Sequence, residues 1–250
     1  AGYIINDYFD INIDLVNKPE KMVIDQIITR RWAMAWHTIL NAAGILTAFY
    51  LAWHLGKWWL IIIQLLCTLL LWFYSTSFKR QLLTGNIVIA FLTALTVVVV
   101  GFYEPKLYTH VSLSDGPYLF RVMMIIILYA VFAFIISLIR EIVKDLEDLP
   151  GDSKEGCRTT PIVWGIQASK MICYGLIVAL LIILLIVQLK IAQWHWYLVI
   201  TYLFLLVELP LVFIGVRLNK ATTPAMYHAV SSLIKIVMLT SILSMFFFYN

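Results

Sequence analysis

Along this chain, apolar runs of bilayer-spanning length alternate with short polar breaks. A spanning helix takes roughly 20 mostly apolar residues, and that template fits residues 32–54, 57–75, 86–103, 118–139, 162–190, 194–215 and 228–249. The breaks carry turn chemistry or charge: Gly56-Lys57, Lys79-Arg80 through Gly85-Asn86, Pro105 to Pro117, a long loop over 140–161, Lys190 to Gln193, and Asn219 to Pro224. The pattern predicts an all-α, polytopic membrane helical bundle of seven spans in a single domain, 1–250, without a linker or short-period repeat. The opening AGYIIND carries neither an initiator Met nor a basic-then-apolar secretory segment. It reads as the end of a helix already under way, in a chain truncated at its N-terminus.

Composition supports the membrane. Of the 250 residues 62% are hydrophobic and 13% charged, against roughly 45–50% and 25% in soluble domains. A soluble enzyme, a nucleic-acid-binding module and a disordered tail are excluded. Cys67, Cys157 and Cys173 are too far apart for a Cys-x-x-Cys motif, and their odd number builds no complete disulfide framework. The net charge of +4 is topological. Twelve Lys and Arg fall on one set of alternate breaks: Lys18, Lys21, Arg30, Arg31, Lys79, Arg80, Arg140, Lys144, Lys154, Arg158, Arg217 and Lys220. Only Lys57, Lys106 and Lys190 fall on the other, while Arg121, Lys170 and Lys235 lie within apparent spans. The richer face is expected to be cytoplasmic.

That same face holds eleven of the fourteen acidic residues, in two clusters. One contains Asp7, Asp10, Asp14, Glu20 and Asp25, the other Glu141, Asp145, Glu147, Asp148, Asp152 and Glu155. A step of four residues turns about 40° around a helix, so Asn6, Asp10 and Asp14 form one ridge with Asp7 alongside. Asp148 and Asp152 form another, with Asp145 three residues earlier, subject to distortion at Pro150-Gly151. Glu147 turns away from this ridge and is expected to face water; Glu155 rejoins it only if the helix persists past Gly151. Charge runs at helix ends are ordinarily solvated faces with snorkelling Lys and Arg. Two such ridges on one membrane face repel each other, and a hard divalent cation relieves that repulsion. Oxygen ligands alone suit Mg²⁺, which commonly bridges carboxylates to substrate phosphates; no His or Cys joins either ridge, which disfavours zinc. The adjacent basic residues suggest a diphosphate, and the apolar walls suggest a lipid chain behind it.

Glu208, within a span two residues before Pro210, is expected to face inward and to pair with a helix neighbour or meet a substrate. The five His residues receive no chemical role, and Trp58-Trp59 and Trp194-His195-Trp196 mark the outer interface.

The stretch NDYFDINID followed by NKP, Asn6 to Pro19, resembles the first aspartate-rich motif of the UbiA superfamily of intramembrane prenyltransferases. KDLEDLPGDSKEG, from Lys144, resembles the second, and YSTSFKRQLLTGN, from Tyr74, the Tyr/Lys-Arg/Gly-Asn segment between them. REIVKDLEDLPGD from Arg140 with CRTTPIVWG from Cys157 looks most like the geranylgeranylglycerol-phosphate geranylgeranyltransferase branch. Lys21 stands where many members have Arg.

The resemblance implies nine transmembrane helices in a full-length chain, the missing part preceding this sequence. It also implies transfer of a prenyl group from a polyprenyl diphosphate to a lipid or aromatic acceptor, with membrane lipids around it and no nucleic acid. Asn6, Asp10, Asp148 and Asp152 would hold Mg²⁺, with Asp7, Asp14 and Asp145 as additional ligands. Lys21, Lys79, Arg80 and Arg158 would hold the diphosphate, and the ring of Tyr74 would face an allylic cation or serve only as an interfacial aromatic. The acceptor expected is geranylgeranylglycerol phosphate or a related glycerol-phosphate lipid, the alternative being an aromatic quinone precursor. An ion-coupled transporter is a competing class, disfavoured because acids crowd the interface rather than lining the membrane depth. A CDP-alcohol phosphatidyltransferase is disfavoured by the absence of its DG-x-x-AR signature.

Overall fold

A computed structural model describes residues 1–103 and 116–248; the Pro105 to Pro117 break and the last residues of the final predicted span fall largely outside them. The described residues form helices and no strand. Helix α1, Gly2–Asn17, stops where Lys18 leaves helical geometry ahead of Pro19. Helix α2, Arg30–Leu55, ends on Gly56, whose φ of 67° is the left-handed conformation that closes helices. Next come α3, Trp59–Thr76, α4, Thr84–Tyr103, and α5, Gly116–Lys154. The short α6, Thr160–Val163, precedes α7, Gly165–Ala192. Helices α8, Tyr197–Leu203, and α9, Leu209–Lys220, run together through a π turn, Phe204–Glu208, and α10 is Pro224–Leu243. Seven of the resulting helical segments are long and apolar enough to cross a membrane.

Helices α4 and α5 share the most extensive contact. The core is built on α5, whose Ile136, Ile139, Ile142 and Leu146 pack against Cys173, Ile177 and Leu180 of α7 and Leu211, Ile214 and Leu218 of α9. The outward faces instead carry Leu46, Ile62, Leu69, Ile182 and Leu239 in the open, as lipid contact requires.

The expected 140–161 loop is corrected. Helix α5 continues to Lys154, across Pro150. The buried series Ile139, Ile142, Val143 and Leu146 extends the helical stripe past the first charges, leaving only residues 155–159 as the connection.

Three polar features within spans have local explanations. Pro210 has no N–H to offer the Leu206 carbonyl, and the Thr240 hydroxyl donates to that oxygen at 2.8 Å instead. Glu208 accepts from Gln188 Nε2 at 2.8 Å, so it pairs with a neighbouring helix. Lys170, buried between α7 and α9, donates to the carbonyls of Asn219 and Ala221 at 3.2 and 2.6 Å, capping the end of α9.

Candidate active site

Because α1 is helical throughout its acidic stretch, Asn6, Asp10 and Asp14 project along one face, and α1 packs directly on α5. The two ridges meet across one cavity of about 260 Å³. Asn6, Asp7, Asp10 and Asp14 line one side, Asp145, Asp148 and Asp152 the other, with Tyr74, Lys79 and Arg80 completing the wall. Asn6 Nδ2 donates to Asp10 Oδ2 at 2.7 Å, and Lys79 Nζ is in close contact with Asp10 Oδ1. On the opposite wall, Asn86 Nδ2 donates to Asp145 Oδ2 at 2.8 Å, while Lys18 Nζ bridges Asp148 Oδ1 at 2.8 Å and Glu147 Oε1 at 2.9 Å.

A tight 3₁₀ turn, Phe78–Arg80, delivers Lys79 and Arg80. Gly85 makes that turn possible: a Cβ there would lie 2.7 Å from Lys79 Cα and 2.9 Å from the Phe78 carbonyl oxygen. Asn86 follows it and reaches the second ridge, so the Gly-Asn pair joins the basic turn to the acidic helix.

Arg158 departs from its expected role. Its side chain is exposed and does not line the cavity; its backbone N–H instead donates to the Arg80 carbonyl at 2.8 Å, anchoring that turn. The side chain of Lys21 lies outside the described residues. Glu147 is also corrected: it is absent from the cavity wall as its helical phase requires, yet it is only 6% exposed. It is paired with Lys18 and with His228 Nδ1 at 2.9 Å, a long-range contact that no local pattern announces.

Several wall residues were missed. Glu141 and Lys144 both line the cavity, and helical spacing was the available signal: Lys144 is four before Asp148, and Glu141 four before Asp145. Lys18, Met22, Val23, Ile24 and Cys157 also contribute, brought in by connections whose paths have no periodic signature.

Crowding of like charge is visible in the titration of groups outside the spans. Burial, reinforced by Asp10, Asp148 and Asp7, pushes Asp14 up to about 6. Burial pulls Lys79 below the ordinary lysine range although Asp10 opposes it. For Lys18, partial burial is outweighed by Asp148 and Glu147, and its pKa is raised.

The donor set matches a hard divalent cation. Carboxylate oxygens of both ridges line the cavity, and Asn6 Oδ1 is buried without a hydrogen-bond partner. The carboxylates are nevertheless spread around the cavity, and among the described residues no three carboxylate, imidazole or thiol groups are gathered as a ready-made metal site. Lysines 18 and 79 occupy oxygens of Asp148 and Asp10.

The UbiA prenyltransferase family model matches residues 1–248. Digeranylgeranylglyceryl phosphate synthase of Methanothermobacter thermautotrophicus is 36% identical over 169 residues, which are 68% of this chain and 53% of that protein. The synthase of the same name from Thermococcus sibiricus is 33% identical over 171 residues, 68% and 54% respectively. The chain thus spans about half the length of the curated relatives it matches. One solved structure, described in the words "Structural and mechanistic insights into the biosynthesis of Digeranylgeranylglyceryl phosphate synthase in membranes", superposes with a TM-score of 0.60 at 26% identity. The match covers 97% of this chain and 78% of that one.

Proposed function

Since this chain belongs to the UbiA prenyltransferase family, we propose that its cavity transfers a prenyl group from a polyprenyl diphosphate to a glycerol-phosphate lipid such as geranylgeranylglycerol phosphate. The observation that supports this most is the convergence of two carboxylate ridges and four cations, Lys18, Lys79, Arg80 and Lys144, on one cavity at the end of a lipid-facing bundle. That geometry serves a ligand with a polyanionic head and an apolar tail. The acceptor is inferred from the relatives' names. The Lys- and Arg-rich face on which the cavity opens is assigned to the cytoplasm.

In the proposed reaction the allylic C–O bond breaks and its electron pair leaves with the diphosphate. Lys79, Arg80 and Lys144 stabilise that departing charge. The ring of Tyr74, on the cavity wall, faces the developing allylic cation and favours it electrostatically. The acceptor hydroxyl oxygen then bonds to the freed carbon and gives its proton to a wall carboxylate. Mg²⁺ is the proposed cofactor: Asn6, Asp7, Asp10, Asp14, Asp145, Asp148 and Asp152 are the residues that would hold it, and it would supply additional positive charge to the departing diphosphate.

The test is product analysis by mass spectrometry with the full-length protein. Geranylgeranyl diphosphate is offered with geranylgeranylglycerol phosphate or 4-hydroxybenzoate, in Mg²⁺ or in EDTA. Prenylated glycerol-phosphate lipid formed only in Mg²⁺ is expected. Product on the aromatic acceptor alone would overturn the acceptor assignment, full activity in EDTA the metal assignment, and no product on any prenyl acceptor the enzymatic reading itself.

A further inference from the structure

The two ridges must be held in register across their cavity, and the device that does so lies outside it. Asn17, the last residue of α1, follows Asp14 by three positions and so continues the face that carries Asn6, Asp10 and Asp14. Its side chain does not line the cavity. It reaches across 131 and 134 positions of sequence to the second ridge, where Nδ2 donates to the Asp148 carbonyl at 3.1 Å and Oδ1 accepts from the Gly151 N–H at 2.9 Å.

Those two groups flank Pro150, the one residue of this stretch that has no N–H of its own. A primary amide offers a donor and an acceptor side by side, so one side chain can grip a carbonyl and an N–H together. Asn17 thereby engages α5 beside Pro150, which offers no N–H to the Leu146 carbonyl one turn earlier. Gly151 is shaped for this contact: a Cβ there would stand 2.5 Å from Asn17 Nδ2 and 2.8 Å from its Cγ. The grip falls on the backbone of Asp148 itself and of the residue next to Asp152.

We infer that Asn17, seated on Gly151, is a positioning residue that fixes the register of Asp148 and Asp152 against Asp10 and Asp14. Lys18 alongside it is a different kind of tie. Its ion pairs to Asp148 and Glu147 engage a carboxylate of the cavity and compete with any cation or anion bound there. Asn17 is neutral and engages only backbone, so its hold persists whatever the carboxylates bind. As a positioning role, the inference rests on the prenyl-transfer reading; as a structural tie, it is measurable without it.

The experiment uses full-length protein carrying Asn17→Ala, Asn17→Asp, Gly151→Ala or the double variant Asn17→Ala/Gly151→Ala. Two readouts are taken. The first is prenyl-transfer kinetics. Asn17→Ala should lower kcat by about 10²-fold, the scale of a misplacement near 1 Å, with the donor KM changed far less. Asn17→Asp keeps an acceptor for the Gly151 N–H but sets a carboxylate oxygen against the Asp148 carbonyl, and should lose at least as much. Gly151→Ala should match or exceed the loss in Asn17→Ala, because its methyl expels the amide. The double variant should be no worse than Gly151→Ala, since the clash partner is gone. The second readout is the distance distribution between spin labels at the exposed positions Val16 and Ser153, in a background with Cys67, Cys157 and any other reactive thiol of the full-length protein replaced by Ser. It should broaden in Asn17→Ala and stay narrow without the substitution. Multiplying losses in the double variant, or an unchanged distribution in Asn17→Ala, would overturn the inference. If the unsubstituted protein transfers no prenyl group, the functional reading fails, while the label distances still decide whether Asn17 ties the ridges.

Discussion

The two acidic ridges resemble each other in spacing but not in how they are held. The first sits on a 16-residue helix, α1, that ends just beyond the cavity. The second is embedded in a 39-residue helix, α5, whose neighbouring Ile139, Ile142, Val143 and Leu146 are in the protein core. Each ridge receives its counter-charge from elsewhere: Asp10 from Lys79 on the α3–α4 connection, Asp148 from Lys18 just past the end of α1. The first ridge therefore supplies the side-chain donors, Asn17 and Lys18, that reach the second, while among the hydrogen bonds described no side chain of the second ridge donates to the first. A repeated motif in sequence corresponds here to a division of labour, one ridge being scaffold and the other a segment docked upon it.

That contrast can be broken experimentally. The largest effect is expected where the ridges share chemistry: Asp10→Ala and Asp148→Ala should each reduce prenyl transfer by about 10²–10³-fold, the scale of removing a direct electrostatic contact to a reacting group. A loss at only one of them would show that a single ridge carries the reaction. Lys79→Ala should cost less, on the order of tenfold in kcat and below that direct-contact scale, because Arg80 and Lys144 remain on the wall. Unchanged kinetics with normal expression would make Lys79 only a partner of Asp10.

The docked ridge should also carry a pH signature. Asp14 is raised to about 6 from an ordinary 3.8, so the folded state holds its proton more tightly than the unfolded chain. The stability it contributes is complete below pH 3.8 and is lost as pH rises through about 6. In EDTA, the pH-dependent fall in Tm between pH 5 and pH 8 should be shallower in Asp14→Asn. An identical slope in both proteins would remove Asp14 as a source. The smallest effects separate two glutamates of the scaffold ridge. Glu147→Gln strips charge from a buried pair and should cost roughly 1–3 kcal/mol of stability, whereas Glu155→Gln should stay within about 0.5 kcal/mol. Neither should lower kcat severely, since neither lines the cavity; comparable Tm losses would place both in the same environment.

What could be read from the chain follows from the range of each interaction. Span positions depend on local apolar length, and the carboxylate ridges on a period of 3.6, so both were visible before any contact was known. The continuation of α5 was obscured because Arg140, Glu141 and Lys144 have the composition of a loop; the signal was in the apolar residues between them. Lys18 against Asp148, Glu147 against His228 and Asn17 against Gly151 join positions far apart in sequence, where spacing carries no information. Arg158 shows the converse: a basic residue in the right connection whose exposed side chain does not line the cavity.

The length of α5 has a further consequence. Between Arg121 and Arg140 it presents no charged residue, a rise of about 28 Å at 1.5 Å per residue, close to the roughly 30 Å of a hydrocarbon core. The stretch from Glu141 to Lys154 follows that uncharged length, at the end of α5 where the carboxylates of the cavity lie. On the prenyl-transfer proposal, a diphosphate would be held at that end while its isoprenoid tail lay along the uncharged stretch. Hydrophobic matching would then set the height of the rim, a thicker bilayer drawing Glu141 and Asp145 toward the acyl region and a thinner one lifting them toward water.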